Sequence, residues 1–269
     1  MILSDIHMHS SFSTDSDAPM ASMIEGAISK GLKTICFTEH LDYDFPLENG
    51  QVIFLVDMES YYQKIMELKK RYRSRIEVLF GIEFGLMPYL AERYEETARS
   101  YPFDFIIGSS HLINGQDPYD PEFWKTDTEE KLYSSYFQTI IDNIASYKNF
   151  DTYGHIDYIV RYGPNKNQHY SYERYREILD KVLQAIIDNG LCLEVNTAGY
   201  KYGLGQPNPQ ADILMRYREL GGERITIGAD GHKPEHIAYD FDRIENLLKA
   251  CGFRYHTIFR ERKPVIVPL

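Results

Sequence analysis

Leu3-Ser4-Asp5-Ile6-His7-Met8-His9-Ser10-Ser11-Phe12-Ser13-Thr14-Asp15, near the start of the chain, is the stretch from which the rest can be read. Residues 2–6 have the short, apolar-rich character of a strand, and the polar run after them ends it. Side chains alternate along a strand, so His7 and His9 project from one face, where two imidazoles can grip one ion. The arrangement recurs. Candidate strands at residues 2–6, 33–38, 76–84, 104–109, 152–158, 191–196 and 224–229 carry a metal-ligand residue type near their C-terminal ends. In order these are His7 and His9, His40, Glu83, His111, His155, Asn196, and Asp230 with His232. Between the strands lie helical patterns. In residues 132–144 and 178–187 apolar side chains recur at i, i+1, i+4 and i+5, as a helix docked on a sheet requires. Gly31 and Gly190 follow such runs and precede strands, where a helix-ending left-handed residue belongs.

Alternating strands and helices imply a parallel sheet. No Gly-x-Gly-x-x-Gly follows the first strand and no Walker loop occurs, so the repeats favour a closed α/β barrel over an open sheet with long insertions. Barrel active sites are built at the C-terminal rim of the strands. Residues roughly 30 to 45 positions apart converge there only if their strands are parallel neighbours.

Composition bounds the function. The 269 residues include 40 Asp and Glu against 29 Lys and Arg, a formal charge of -11, with 43% hydrophobic and 26% charged residues. That is an ordinary globular composition, read here as one domain over residues 1–269, and it excludes disorder across the chain. The negative charge argues against a nucleic-acid partner. The apolar runs fall far short of the roughly 20 residues of a membrane span, and Asp5 stands where a signal peptide would be apolar. Cys36, Cys192 and Cys251 are scattered, without Cys-x-x-Cys, which points to a reducing, cytoplasmic compartment and away from thiolate zinc. Oligomeric state is left open.

Imidazole with carboxylate and no thiolate suits Zn, Fe, Mn, Co or Ni. The candidate ligands outnumber the three or four that one zinc uses, which favours two or three ions. A carboxylate such as Glu83 can bridge two ions about 3.5–4 Å apart. A lone strand-end histidine is usually structural, yet six of the nine histidines fall at strand ends; His169, His236 and His256 lie elsewhere and are read as non-ligands. Asp5 is read as a ligand or as a group orienting an imidazole from behind, and Asn196 as the weakest member of the set. Asp15 is read as a ligand in preference to a cap for the helix starting near Pro19.

At His7-Met8-His9-Ser10-Ser11-Phe12-Ser13-Thr14-Asp15, Phe37-Thr38-Glu39-His40, Gly81-Ile82-Glu83, Gly108-Ser109-Ser110-His111, Gly154-His155-Ile156-Asp157 and Gly228-Ala229-Asp230-Gly231-His232, the chain resembles the PHP (polymerase and histidinol phosphatase) family of metal-dependent phosphoesterases. The resemblance implies a distorted (β/α)7, TIM-like barrel with a trinuclear site. It places His7, His9, Glu83 and Asp230 on one ion, Glu83, His111 and His155 on a second, and Asp15, His40 and His232 on a third. Many relatives carry histidine at the Asp15 position. Within the family, the length and the runs Leu193-Glu194-Val195-Asn196-Thr197-Ala198-Gly199 and Arg161 resemble the histidinol-phosphate phosphatases. These imply phosphate contacts at Arg161 and at Lys201, where an arginine would be expected. The implied reaction is hydrolysis of a small phosphate monoester, L-histidinol phosphate, using two or three divalent ions (Zn, Fe or Mn). Metal-bound water would attack, and the leaving-group proton would come from water or from an acid, His232 or Asp15. Alternatives are a phosphotyrosine-protein phosphatase, a phosphodiesterase or exonuclease, and a catalytically silent metal-binding interaction module. The 22 tyrosines suggest the last, but Tyr133, Tyr136, Tyr170, Tyr172 and Tyr175 are spaced as core residues. Residues 114–130, with Trp124, are read as a lid over the mouth or a surface loop, their place after the fourth strand favouring the lid.

Overall fold

Short strands alternating with amphipathic helices bury both faces of a parallel sheet either under helices on each side or by curling the sheet and covering it outside, and this chain takes the second course. The computed structural model describes residues 1–269. Strands β1 (Ser4–Met8), β2 (Thr34–Phe37), β4 (Glu77–Gly85), β5 (Phe105–Ser109), β6 (Thr152–Tyr153), β7 (Cys192–Asn196) and β8 (Ile225–Gly228) pair in parallel in that order, and the short β3 (His40–Leu41) joins the far half of β4. Outside and between them run α1 (Met20–Ser29), α2 (Met58–Tyr72), α3 (Ala91–Ser100), α4 (Glu129–Ser146), α5 (Arg176–Asp188), α6 (Ala198–Lys201), α7 (Ala211–Glu219) and α8 (Phe241–Ala250). The sheet closes where its two ends meet. His9 N–H donates to the Gly231 carbonyl and Asp230 N–H to the His7 carbonyl, each at 2.9 Å. Closure thus falls on the ligand-bearing ends of the first and last barrel strands. This is the distorted, TIM-like α/β barrel expected of the chain. No helix is long and apolar enough to cross a membrane.

Two hydrophobic cores follow from this geometry. A large one packs the helices onto the sheet and includes Tyr133, Tyr136, Tyr170 and Tyr175, which therefore form no partner-facing stripe. The small one fills the barrel: Ile6, Cys36, Leu79, Phe105, Ile107 and Cys192 meet Ile258 and Phe259. The last two come from an unexpected C-terminal hairpin, β9 (Tyr255–Arg260) with β10 (Lys263–Pro268), which stops the end of the barrel opposite the ligands. Phe259 stacks on Phe105 at 5.3 Å. Pro264 and Pro268 disguise β10 in the sequence, because proline is confined to strand edges and this strand has a free edge.

The fifth candidate strand is corrected. Only Thr152–Tyr153 pairs; after Gly154 the chain turns, Tyr158 N–H donating to His155 O at 2.7 Å, into a 3-10 turn at Tyr158–Arg161. The cause is distant in sequence. Buried Asp157 accepts Asn208 Nδ2–H (2.5 Å) and Gln210 N–H (3.2 Å), which draws the chain out of the ladder.

Candidate metal centre

Glu83, fully buried on β4, is the hub of the barrel mouth. Its Oε1 lies 3.3 Å from His111 Nε2 and 3.2 Å from His155 Nε2. Its Oε2 lies 3.3 Å from His7 Nε2, 3.5 Å from His9 Nε2 and 3.1 Å from His40 Nδ1. Asp230 Oδ1 faces His9 Nε2 at 3.4 Å and His7 Nε2 at 3.8 Å. Farther out, Asp15 Oδ2 lies 2.9 Å from His232 Nε2 and 3.7 Å from His40 Nε2, and it caps no helix. The structure therefore brings together all nine residues read as ligands.

The site passes a test of fit for metal. Buried polar atoms are almost always hydrogen-bonded, yet His7 Nε2, His9 Nε2, His40 Nδ1, His232 Nε2 and Glu83 Oε2 are buried without a hydrogen-bond partner. Donor atoms of His7, His9 and Glu83 lie within 4.8 Å of one another; so do those of His40, Glu83 and His111, of His9, His40 and His232, and of His7, His155 and Asp230. Such overlapping imidazole and carboxylate sets suit Zn, Fe or Mn.

Two carboxylates overlooked in the sequence set the imidazoles. Glu194 on β7 hydrogen-bonds His7 Nδ1, and Asp42 Oδ1 pairs with His111 Nδ1 at 2.6 Å. An ionised carboxylate only accepts, so each Nδ1 carries hydrogen, and once the ring gives up its second proton to a bound ion the lone pair left on Nε2 faces the centre. A signal existed for both: Glu194 is a charged residue inside an apolar strand, and Asp42 stands two residues after His40, on the same strand face. Asp5 reaches no imidazole. Its carboxyl accepts the backbone N–H groups of Ala238 (2.8 Å), Ala229 (3.1 Å) and His7 (3.4 Å), and burial pushes it up to about 6. Asn196 reaches the centre only through Glu194, to which its Nδ2 donates at 3.2 Å.

Charge crowding dominates the titrations. Burial opposes the charged form of His111, but Asp42 and Glu83 outweigh it and hold the imidazole up at about 9. Burial is likewise outweighed at His7 by Glu194 and Glu83, and at His40 by Asp15 and Glu83; both sit well above the ordinary range. Glu83, surrounded by His7, His111 and His40, lies well below its own range despite burial.

The centre opens into a cleft of about 710 Å³. Arg161, delivered by the turn after β6, stands in an aromatic box, its Cζ 4.1, 4.4 and 4.9 Å from the rings of Tyr158, Tyr202 and Tyr162. Its Nε is buried and unpartnered, and its Nη1 lies 3.6 Å from Asp230 Oδ2. Lys201 Nζ donates to the Asp230 carbonyl at 2.9 Å. One wall is a hairpin absent from the sequence reading: Glu48 pairs with Gln51 across Asn49 (φ 50) and Gly50 (φ 76), and Phe45, Ile53 and Phe54 face the cleft. An Asn-Gly pair with both φ positive is a strong hairpin signal. From residues 114–130, Asp117 and Tyr119 line the cleft while Phe123 is buried and Trp124 packs on Tyr133, making this segment a wall. His236 lines the lip of the cleft, His169 is exposed, and His256 bonds Ser4 Oγ at 3.0 Å; none joins a donor set.

A family profile described as PHP domain matches residues 5–198. Histidinol-phosphatase of Lactococcus lactis is 31% identical over 263 residues, covering 96% of this chain and 95% of that protein. Probable histidinol-phosphatase of Clostridium acetobutylicum is also 31% identical, covering 96% of this chain and 97% of its own. The crystal structure of the Lactococcus lactis histidinol phosphate phosphatase, complexed with zinc, L-histidinol and phosphate, matches with a TM-score of 0.90 over 97% of this chain and 98% of that one.

Proposed function

The chain belongs to the PHP domain family, and on that premise we propose that it is a metal-dependent phosphatase that hydrolyses L-histidinol phosphate to L-histidinol and inorganic phosphate. The observation that carries this reading is Glu83, whose two oxygens face separate imidazole sets beside a boxed arginine. His7, His9, Glu83 and Asp230 would hold one ion, Glu83, His111 and His155 a second, and Asp15, His40 and His232 a third, with Zn, Fe or Mn as occupants. Divalent ions held there would supply Lewis acidity toward phosphoryl oxygens and would lower the pKa of water.

The chain's own groups do the rest. Arg161 presents a planar fork to two phosphate oxygens, and the tyrosine rings keep that fork from swinging away. Lys201 adds a point charge beside it. Burial works against ionisation of Asp15, but His40 and His232 keep it well below the ordinary carboxylate range, so it is no proton donor at neutral pH. That leaves water or His232 Nε2 as the donor to the departing alkoxide. The outer cleft carries Asp117 and Glu48 among Phe45, Phe54 and Tyr119, a lining suited to a small cationic amine with a flat ring. That lining supports histidinol phosphate over a phosphotyrosyl peptide. The domain proposed for this activity spans residues 1–269.

A panel of phosphate monoesters, a phosphotyrosyl peptide and a phosphodiester, each with added Mn, Zn or Fe, tests the assignment. Histidinol phosphate should be turned over fastest; faster cleavage of the peptide or diester would overturn it. Asp117→Asn should raise KM for histidinol phosphate about 10- to 100-fold, the loss of a hydrogen bond to a charged group. Hydrolysis of p-nitrophenyl phosphate, which lacks the amine, should be unchanged, and an equal loss on both esters would remove Asp117 from recognition.

Metal loading should also release protons. In the metal-free protein His111 stays protonated until about pH 9, so an ion must displace that proton at neutral pH and bind more tightly as pH rises toward 9. Calorimetric titration with zinc in two buffers of different ionisation enthalpy reads this directly. A pH-independent affinity between pH 7 and 9 would contradict it.

A further inference from the structure

Ser13 and Glu39 belong to none of the ligand sets, yet both are buried and bind the segments that carry two of the imidazoles. Glu39 lies on the step between β2 and β3. It accepts Ser10 Oγ–H at Oε1 (2.5 Å), Ser13 Oγ–H at Oε2 (2.6 Å), and Ser10 N–H at 3.1 Å from each oxygen. Ser13 Oγ has two further neighbours, the backbone N of His40 at 3.1 Å and His9 Nδ1 at 3.2 Å.

A hydroxyl has one hydrogen and two acceptor sites. Burial pushes the Glu39 carboxyl up to about 7, but donors from Ser10 and Ser13 face both of its oxygens; above that pH it is a carboxylate that can only accept, so it takes the Ser13 hydrogen. The His40 amide can only donate, so it takes one acceptor site. The remaining site faces His9 Nδ1, which must therefore carry hydrogen, and the lone pair of His9 is forced onto Nε2. That atom lies 3.4 Å from Asp230 Oδ1 and 3.5 Å from Glu83 Oε2, without a hydrogen-bond partner. The His9 ring also stacks against those of His40 and His232, at 4.1 and 4.4 Å.

We infer that Ser13, oriented by Glu39, is a positioning residue that imposes the metal-ligating tautomer of His9 while pinning the backbone of His40, and so sets how tightly neighbouring ion sites hold their metals. The inference rests on His9 and His40 being ligands. Glu39→Gln is an informative variant because its amide can donate to Ser13 Oγ. The Ser13 hydrogen would then turn to His9 Nδ1, and the lone pair would leave Nε2.

The test measures zinc affinity by competition with a chelator, together with ¹⁵N NMR of the zinc-loaded wild-type protein. Ser13→Ala and Glu39→Gln should each weaken zinc binding about 10- to 100-fold, as expected for loss of a group that orients a ligand. Because both act through one hydroxyl, the double variant should be little worse than either single one. His9 should show hydrogen on Nδ1 in the wild-type spectrum, a readout that needs no variant to fold. Hydrogen on Nε2, or additive losses in the double variant, would overturn the inference. If His9→Ala loses zinc while Ser13→Ala and Glu39→Gln keep it, the positioning role alone fails. If His9→Ala keeps all its zinc, the ligand assignment fails with it.

Discussion

Glu83→Gln should lower kcat/KM for histidinol phosphate by about 10³-fold, since several kcal/mol of charge stabilisation depend on the ions this side chain is placed to hold. Glutamine preserves the shape of the side chain but removes its charge, and it puts an amide on one of two oxygens that each face imidazole nitrogens. Those contacts are spread over His7, His9, His40, His111 and His155, so no neighbouring carboxylate replaces them all. Metal content should fall with activity. Wild-type turnover by a variant with undiminished metal would show that Glu83 bridges nothing.

Arg161→Met should separate phosphate binding from metal binding. The expected loss in kcat/KM is about 10²- to 10³-fold, the usual effect of removing one donor to a charged transition state, with metal content unchanged. The burden on this residue is heavy because Lys201, near it on the cleft wall, offers a point charge in place of a second fork. Arg161→Lys should recover only a small part, since an ammonium neither fits the flat aromatic box nor makes paired contacts. Inhibition by inorganic phosphate should weaken in parallel with kcat/KM. A twofold loss, or loss of metal in Arg161→Met, would contradict the assignment.

The ligand ring was legible in the sequence for a geometric reason. In a parallel barrel every strand ends at the same mouth, so a local pattern, a histidine or acid closing every candidate strand but the sixth, reports a long-range convergence. His7 with His9 and Asp230 with His232 carried most of that information. What could not be read locally was whatever one segment imposes on another. The fifth strand stops after Tyr153 because Asn208 and Gln210 capture Asp157, a dependence invisible around residue 155. Glu194 and Asp42 became meaningful only once His7 and His111 lay against them. Asp5 seemed to belong with the imidazoles by proximity in sequence, yet it spends its carboxylate on the backbone that closes the barrel. The C-terminal hairpin, with proline at two positions of one strand, carried no clear strand signature despite stopping the barrel.

The most direct check is elemental analysis of the intact protein purified without chelator. Two or three equivalents of Zn, Fe or Mn per chain are expected, lost together with phosphatase activity on dialysis against a strong chelator and regained on reloading. A protein that hydrolyses histidinol phosphate at full rate with less than a tenth of an equivalent of any such metal would contradict the account.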